Sequence, residues 1–219
     1  MVNDIVQFVV SSLSLGGLYA LMALGLVIVY GILRLINFAY GELVMVGGYS
    51  LLILGKTVWP WIFVAALSVA MAVLASVLME RVGFRPVRNA SPTTMLITSF
   101  AISALLQNIA LLTVSPRPQA VRLPGFFVQT LTIGGFRVKA VDLISLAVSL
   151  ILLGVLTVFL RRTIMGMALR ASADDFTMAR LLGVRANGVI ALAFAISGFM
   201  AGIVSLFWIG RSSLVEPAV

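Results

Sequence analysis

The sequence predicts an all-α integral membrane protein, a polytopic helical bundle of about six spans that forms a single transmembrane domain over residues 1–219. Hydrophobic residues make up 62% of the chain and charged residues 10%, whereas soluble domains hold about 45–50% and about 25%. A soluble fold could not cover that much apolar surface. The apolar residues also gather in runs close to the roughly 20 residues that cross the hydrocarbon core as a helix.

Six apolar runs are predicted to be the spans, because a helix satisfies its backbone hydrogen bonds within one segment. They lack the strict alternation of a membrane barrel. The second run is short and holds Gly41, Glu42, Gly47 and Gly48, so it is a tilted span, a broken helix or a re-entrant segment. The runs lie at residues 5–30, 38–54, 60–79, 93–113, 141–160 and 188–209.

The basic residues predict the orientation of the chain. The formal charge is +8, but the cations are scattered through short loops rather than clustered on one face, so nucleic acid is not an expected partner. Loops at residues 31–37, 80–92 and 161–187 carry nine arginines, against six cations on the other side. This bias predicts that the nine-arginine side faces the cytoplasm and that the N-terminus is periplasmic.

Several classes of chemistry are disfavoured by the residue types present. The chain has no cysteine and no histidine, which excludes the usual Cys/His zinc sites and the Ser-His-Asp and Cys-His nucleophile systems. Residues 55–57 read Gly-Lys-Thr, but Ser50 stands where a phosphate-binding loop needs glycine. We therefore predict no catalytic residue, no metal site and no cofactor in this chain, which is not expected to be an enzyme.

The longest predicted extracytoplasmic loop, residues 114–140, contains a candidate hairpin. Its stretch FFVQTLTIGGFRVK is rich in β-branched and aromatic residues around Gly134-Gly135. Two glycines suit the two-residue turn of a β-hairpin. A small extracytoplasmic β-hairpin is therefore predicted.

The inner loop contains a pattern for a short amphipathic helix at about residues 172–183. Ser172 followed by Asp175 fits a capping box, and Asp174 and Asp175 place negative charge at the helix N-terminus. An apolar stripe then follows, and a glycine suited to a left-handed turn ends the pattern. Such a helix is too short to span, so it either lies on the lipid surface or docks a cytoplasmic partner. The stripe is Phe176, Ala179 and Leu182, and the glycine is Gly183.

Two patterns within the spans indicate helix contacts. Ser99, Ser103 and Gln107 recur every four residues along the fourth span, and such groups face other helices or a wet path. Bonding between helices is favoured over a substrate pathway. In the sixth span, Gly198 and Gly202 form a GxxxG motif, which lets two helix backbones approach closely.

The stretch RLINFAYGE, residues 34–42, lies between the first two apolar runs. Gly41 permits a sharp backbone turn, and Glu42 is an ionisable group about one turn inside the second run, which suggests a functional site. Arg34 is a candidate counter-charge for Glu42. The alternative is a plain cytoplasmic turn with Arg34, Asn37 and Glu42 hydrated.

Three stretches resemble the permeases of branched-chain amino acid ABC importers. GGLYALMALGLVIVYGILRLINFAYGELVMVGGY resembles the N-terminal region of that family, with INFAYGE as its signature. RASADDFTMARLLGV is similar to the cytoplasmic helix that couples to the ATPase, although Thr177 and Met178 depart from the acidic and alanine residues common there. Members of the family continue through further spans, so the resemblance implies a C-terminally shortened chain.

The resemblance implies an assembly and a set of site residues. The implied partners of this chain are two cytoplasmic ATPase subunits that use ATP and magnesium, a second homologous permease subunit and a periplasmic binding protein. The implied location of this chain is the bacterial inner membrane. The resemblance assigns Asn37, Phe38, Gly41 and Glu42 to the signature at the translocation pathway, beside which we place Ser99, Ser103 and Gln107. The predicted ATPase-coupling residues are Arg170, Ser172, Asp174, Asp175, Phe176, Ala179, Leu182 and Gly183.

Other functions compete with this one. An ion-coupled secondary transporter or channel subunit usually needs charges deep in its spans, and here the middles of the spans are nearly free of charge. A membrane-embedded enzyme lacks a cluster of reactive groups. A scaffold subunit and a permease for urea or short amides also stand as alternatives.

Overall fold

The computed structural model describes residues 2–57, 59–88, 90–114, 119–121, 124–133, 136–212 and 214–215. Most of these residues are helical. The helices are, in chain order, α1 (Val2–Leu33), α2 (Tyr40–Leu54), α3 (Trp61–Leu78), a π-helical turn (Met79–Phe84), α4 (Arg85–Val87), α5 (Pro92–Thr113), α6 (Gly125–Val128), α7 (Ala140–Arg162), α8 (Ile164–Asp174), α9 (Phe176–Leu181) and α10 (Ala186–Ser212).

Within the described ranges, five helices are long and apolar enough to cross a membrane: α1, α3 with its extension to Val87, α5, α7 and α10. They coincide with all the predicted runs except the second. That run forms α2, an unbroken helix of 15 residues. At 1.5 Å per residue α2 is about 22 Å long, shorter than a hydrocarbon core of about 30 Å.

Helix α10 is the centre of the bundle and packs against α1, α2 and α3. The GxxxG motif lies at its contact with α3. A Cβ atom added at Gly198 would stand 2.6 Å from the Ser76 Cβ, and one added at Gly202 would stand 2.9 Å from the Val69 Cα. The predicted close approach of two backbones is therefore confirmed, because no larger residue fits there without a shift of α3.

Serine hydroxyls of α3 add polar contacts to this packing. Ser76 Oγ donates to the carbonyl oxygen of Phe194 at 2.6 Å. Ser68 Oγ donates to the carbonyl oxygen of Gly47 at 2.7 Å. Both serines are fully buried. Such bonds between helices stabilise a bundle in lipid, where an unpaired hydroxyl is costly.

A partly buried ion pair joins three helices at the end of the bundle where α1 and α7 begin and α10 ends. Arg211 of α10 forms an ion pair with Asp142 of α7, which is 1% exposed. Ser11 of α1 donates to the same carboxylate, and Arg211 also donates to Ser14 Oγ at 2.9 Å. The predicted spans thus share a charged contact that apolar periodicity did not indicate.

The loop between α5 and α7 contains the predicted hairpin strands. Strand β2 (Thr130–Ile133) pairs antiparallel with β3 (Phe136–Lys139), with Ile133 opposite Phe136. The predicted turn at Gly134-Gly135 lies outside the described residues. The first predicted strand started too early in the sequence, because residues 125–128, directly after Pro124, form the short helix α6. A second pair joins β1 (Gln119–Ala120) to β4 (Leu214–Val215) beyond α10.

Candidate functional site: a polar seam and an exposed helical tip

The turn between α1 and α2 is built by residues 34–39. Arg34 has a positive φ of 53°, and its Nη2 donates to the carbonyl oxygen of Ala173 at 2.7 Å. Asn37 is 2% exposed, and its Oδ1 accepts from the Ala39 backbone N–H at 3.1 Å. The sharp turn expected at Gly41 is therefore wrong, because Gly41 already lies within α2 and the chain turns earlier.

Glu42 takes its partners from α5 and not from Arg34. Its Oε1 accepts from Ser103 Oγ at 2.9 Å and from Gln107 Nε2 at 2.7 Å. Glu42 is only 5% exposed. The expectation that Arg34 neutralises Glu42 is wrong, since the guanidinium of Arg34 is bound to the α8 backbone instead.

The polar line of α5 continues to the turn. Ser99 Oγ accepts from the Phe38 backbone N–H at 2.6 Å, and the rings of Phe38 and Phe100 stack with centroids 4.3 Å apart. Most of α5 faces outward, with 17% of its most apolar stretch buried. We call the residues that attach α5 to the turn and to α2 the polar seam: Asn37, Phe38, Glu42, Ser99, Ser103 and Gln107.

The polar seam brings together the residues that were predicted separately from the signature and from the fourth span. Its hydrogen bonds support the interpretation of Ser99, Ser103 and Gln107 as bonds between helices. Asn37 Nδ2 also contacts Met79 Sδ at 3.4 Å, at the π-helical turn. π-helical turns within α-helices are frequent at functional sites. The role of these residues in translocation stays a prediction.

Glu42→Ala should loosen α5, because it leaves the Gln107 amide and the Ser103 hydroxyl without their acceptor. An unsatisfied buried polar group costs about 1–3 kcal/mol. We expect faster proteolysis and faster amide exchange in α5 than in the parent protein, measured in detergent or nanodiscs. Ser50→Ala is the matched control, because Ser50 Oγ bonds only within its own helix. Equal exchange in both variants would contradict a tether at Glu42.

The predicted coupling helix is two helices. The capping box at Ser172 is wrong: Thr163 Oγ1 accepts from the Gly166 N–H at 2.9 Å, so α8 begins eight residues before Ser172, which is buried inside it. Asp175 has an extended backbone with φ −143° and caps α9. Its Oδ1 accepts from the backbone N–H groups of Thr177 and Met178, both at 2.9 Å.

The apolar stripe divides between the two sides of α9. Ala179 is 3% exposed and Phe176 is half-buried, so these two face the bundle. Leu182 is 86% exposed and belongs to the opposite side together with Leu181 and Met178. We call Met178, Leu181 and Leu182 the exposed tip.

Met178 and Leu181 were missed from the sequence, although their i, i+3, i+4 spacing with Leu182 was readable. Gly183 ends the helix with φ +90°, as predicted for a left-handed residue. Arg170 and Asp174 are exposed on α8. The predicted coupling residues therefore form one helix–turn–helix unit whose outermost side is apolar.

Comparison with known proteins gives a consistent picture. A family model described as "Branched-chain amino acid transport system / permease component" matches residues 8–218. The chain is 32% identical to the high-affinity branched-chain amino acid transport system permease protein BraD of Pseudomonas aeruginosa, over 97% of this chain and 73% of that protein. It is 36% identical to the permease protein LivH of Escherichia coli K12, with the same coverage.

A more distant relative is a probable branched-chain amino acid transport permease protein LivH of Methanocaldococcus jannaschii. It is 29% identical over 85% of this chain and 60% of its own length. No solved structure matches the chain.

Proposed function

Since this chain belongs to the family of branched-chain amino acid transport permeases, the membrane subunits of ATP-binding cassette importers, we propose that it carries leucine, isoleucine or valine across the inner membrane. The match over residues 8–218 is the observation on which this proposal rests. The relatives give no support to an ion-coupled transporter, a channel or a permease for urea and short amides.

The proposed complex holds four kinds of subunit. A binding protein delivers the amino acid on the periplasmic side, and this chain forms the path with a second permease subunit. Two ATPase subunits on the other side hydrolyse ATP with magnesium, so this chain needs no cofactor of its own. The bias of the loop charges supports a periplasmic N-terminus and a cytoplasmic exposed tip.

The exposed tip is suited to receive motion from a partner. Its apolar side chains lie on a short helix outside the predicted spans. Their exposure to water is unfavourable, so they offer a surface for a partner protein to cover. Helix α8 is anchored behind the tip, because Leu169 is 3% exposed and the Ala173 carbonyl oxygen accepts from Arg34. A force on the tip would therefore reach α1 and the turn that carries the polar seam.

Transport in a defined system tests this proposal. The chain is reconstituted in proteoliposomes with the partner permease, ATPase and binding-protein subunits of a branched-chain amino acid importer, and uptake of labelled isoleucine is measured. We expect uptake that requires ATP and is competed by unlabelled leucine and valine but not by lysine. ATP-independent uptake by this chain alone would contradict the proposal.

The cap of α9 gives a sharper test of coupling. Asp175→Ala removes the acceptor of two backbone N–H groups, which costs about 0.5–2 kcal/mol. A loss of that size disfavours the folded α9 by roughly 2-fold to 30-fold. We expect the rate of isoleucine uptake to decrease by a factor within that range, while the complex still hydrolyses ATP.

Two controls separate the cap from a charge contact. Asp175→Asn keeps a capping side chain and should retain most uptake. Thr177→Ala alters an exposed neighbour whose backbone N–H still donates to Asp175. If Asp175→Asn lost as much uptake as Asp175→Ala, the carboxylate would act through its charge and not as a cap.

A further inference from the structure

A positively charged cleft lies where the ends of several helices meet, apart from the polar seam. Its volume is about 800 Å³, and it lies between the last turn of α1, the first turn of α5, α9 and the start of α10. Arg88, Arg180 and Arg185 line it. We call it the arginine cleft.

The charge of the arginine cleft is not balanced by its own lining. No aspartate or glutamate lines it, and none forms an ion pair with its arginines among the residues described by the structure. Arg88 is oriented by a 2.6 Å bond from Nη1 to Asn187 Oδ1. Glu80 interacts electrostatically with Arg88, but it is 2% exposed and does not line the cleft. A ligand in this cleft would therefore be anionic.

The other side of the arginine cleft is apolar. Ile32 and Leu33 end α1, while Met95 lies in the first turn of α5 and Ile190 near the start of α10. These residues lie at the ends of helices that are long and apolar enough to cross a membrane, so we infer that the cleft lies where the hydrocarbon core meets the headgroups. Charged and apolar walls therefore adjoin at the depth of a lipid's phosphate and upper acyl chains.

We propose that the arginine cleft binds the phosphate headgroup of an anionic phospholipid, with the acyl chains lying against Ile32, Leu33 and Met95. Arginine forks suit phosphate oxygens, and basic pockets between transmembrane helices on the cytoplasmic side bind anionic headgroups. The N-terminus of α10 adds a favourable dipole. A lipid bound here would touch α9 at Phe176 and Arg180, so it would hold the coupling unit against the bundle.

Lipid retention by the purified complex tests this site. The complex is extracted in mild detergent, exchanged into equal amounts of phosphatidylglycerol and phosphatidylcholine, and analysed by native mass spectrometry. We expect phosphatidylglycerol to be retained in preference. In the variant R180Q/R185Q its affinity should fall roughly 10-fold to 30-fold, since each surface arginine contributes about 1 kcal/mol to anionic lipid binding.

Matched variants make the test specific. R161Q/R162Q removes two exposed arginines at the end of α7 that do not line the cleft, and it should retain phosphatidylglycerol within 2-fold. R180K/R185K keeps the charge and should bind better than the glutamine pair, which also shows that loss of binding does not come from misfolding.

Three results would overturn the proposal. One is equal loss of phosphatidylglycerol in R180Q/R185Q and R161Q/R162Q. Another is displacement of the lipid by millimolar inorganic phosphate, which would make the cleft a site for a soluble anion. The third is unchanged lipid retention with loss of the ATPase subunits in R180Q/R185Q, which would assign the cleft to an acidic protein surface.

Discussion

Asp142→Asn is expected to cost about 3 kcal/mol in the free energy of unfolding, near the lower end of what breaking a buried ion pair costs. The substitution leaves the Arg211 guanidinium without its carboxylate, although that side chain is 20% exposed and keeps some access to water. It also weakens the bond from Ser11 of α1. The expected result is a lower unfolding temperature and separation of α1, α7 and α10 at this end of the bundle.

Unfolding in mixed micelles of mild detergent and SDS measures this loss. Asp174→Asn is the matched control, because Asp174 is exposed and forms no ion pair among the residues that the structure describes. Its effect should stay within about 0.5 kcal/mol. The double variant D142N/R211Q should recover part of the loss, since it leaves no unpaired charge. Equal effects of Asp142→Asn and Asp174→Asn would show that the ion pair contributes little.

Gly202→Leu is expected to destabilise the protein, whereas Gly154→Leu is not. A side chain at Gly202 meets the backbone of α3, with the Val69 Cα 2.9 Å from the new Cβ, and overpacking of this kind costs about 1–3 kcal/mol. Gly154 lies in α7 with nothing within 4 Å of an added Cβ. Leucine is a better helix former than glycine by up to about 1 kcal/mol, so that variant should be neutral or stabilised.

The same unfolding titration, with the yield of monodisperse protein, checks this pair. The two substitutions are chemically identical, so changes in hydrophobicity or expression affect both alike. A loss at Gly154 as large as the loss at Gly202 would mean that leucine disturbs any helix of this protein. The close approach of α3 and α10 would then not be what stabilises the centre of the bundle.

The sequence predicted the helices well, because their apolar composition and length are local properties. The GxxxG motif was also readable, since Gly198 and Gly202 lie on one face of one helix. The partners of Glu42 were not readable. Ser103 and Gln107 lie 61 and 65 residues away along the chain, and nothing in a local pattern says which helix will face the carboxylate.

The coupling unit shows a different limit. Ser172 and Asp175 had the spacing of a capping box, but Thr163 competes as an earlier cap and α8 continues through Ser172. Two helix starts were present in one loop, and local spacing could not rank them. The tertiary contacts of Leu169 and Ala179 decide which sides are buried, and so which residues form the exposed tip.

Cross-linking from the exposed tip tests the central claim most directly. The chain has no native cysteine, so Leu182→Cys and Lys56→Cys each create one reactive thiol, the second on the opposite predicted side of the membrane. A thiol-to-amine cross-linker is added to the assembled complex. We predict that Leu182→Cys forms a cross-link to the ATPase subunits and that the yield of this product changes when ATP is added. Lys56→Cys should give no such product. A cross-link to the ATPase from Lys56→Cys but not from Leu182→Cys, or a thiol at residue 182 that reacts only with lipid-borne reagents, would contradict the account.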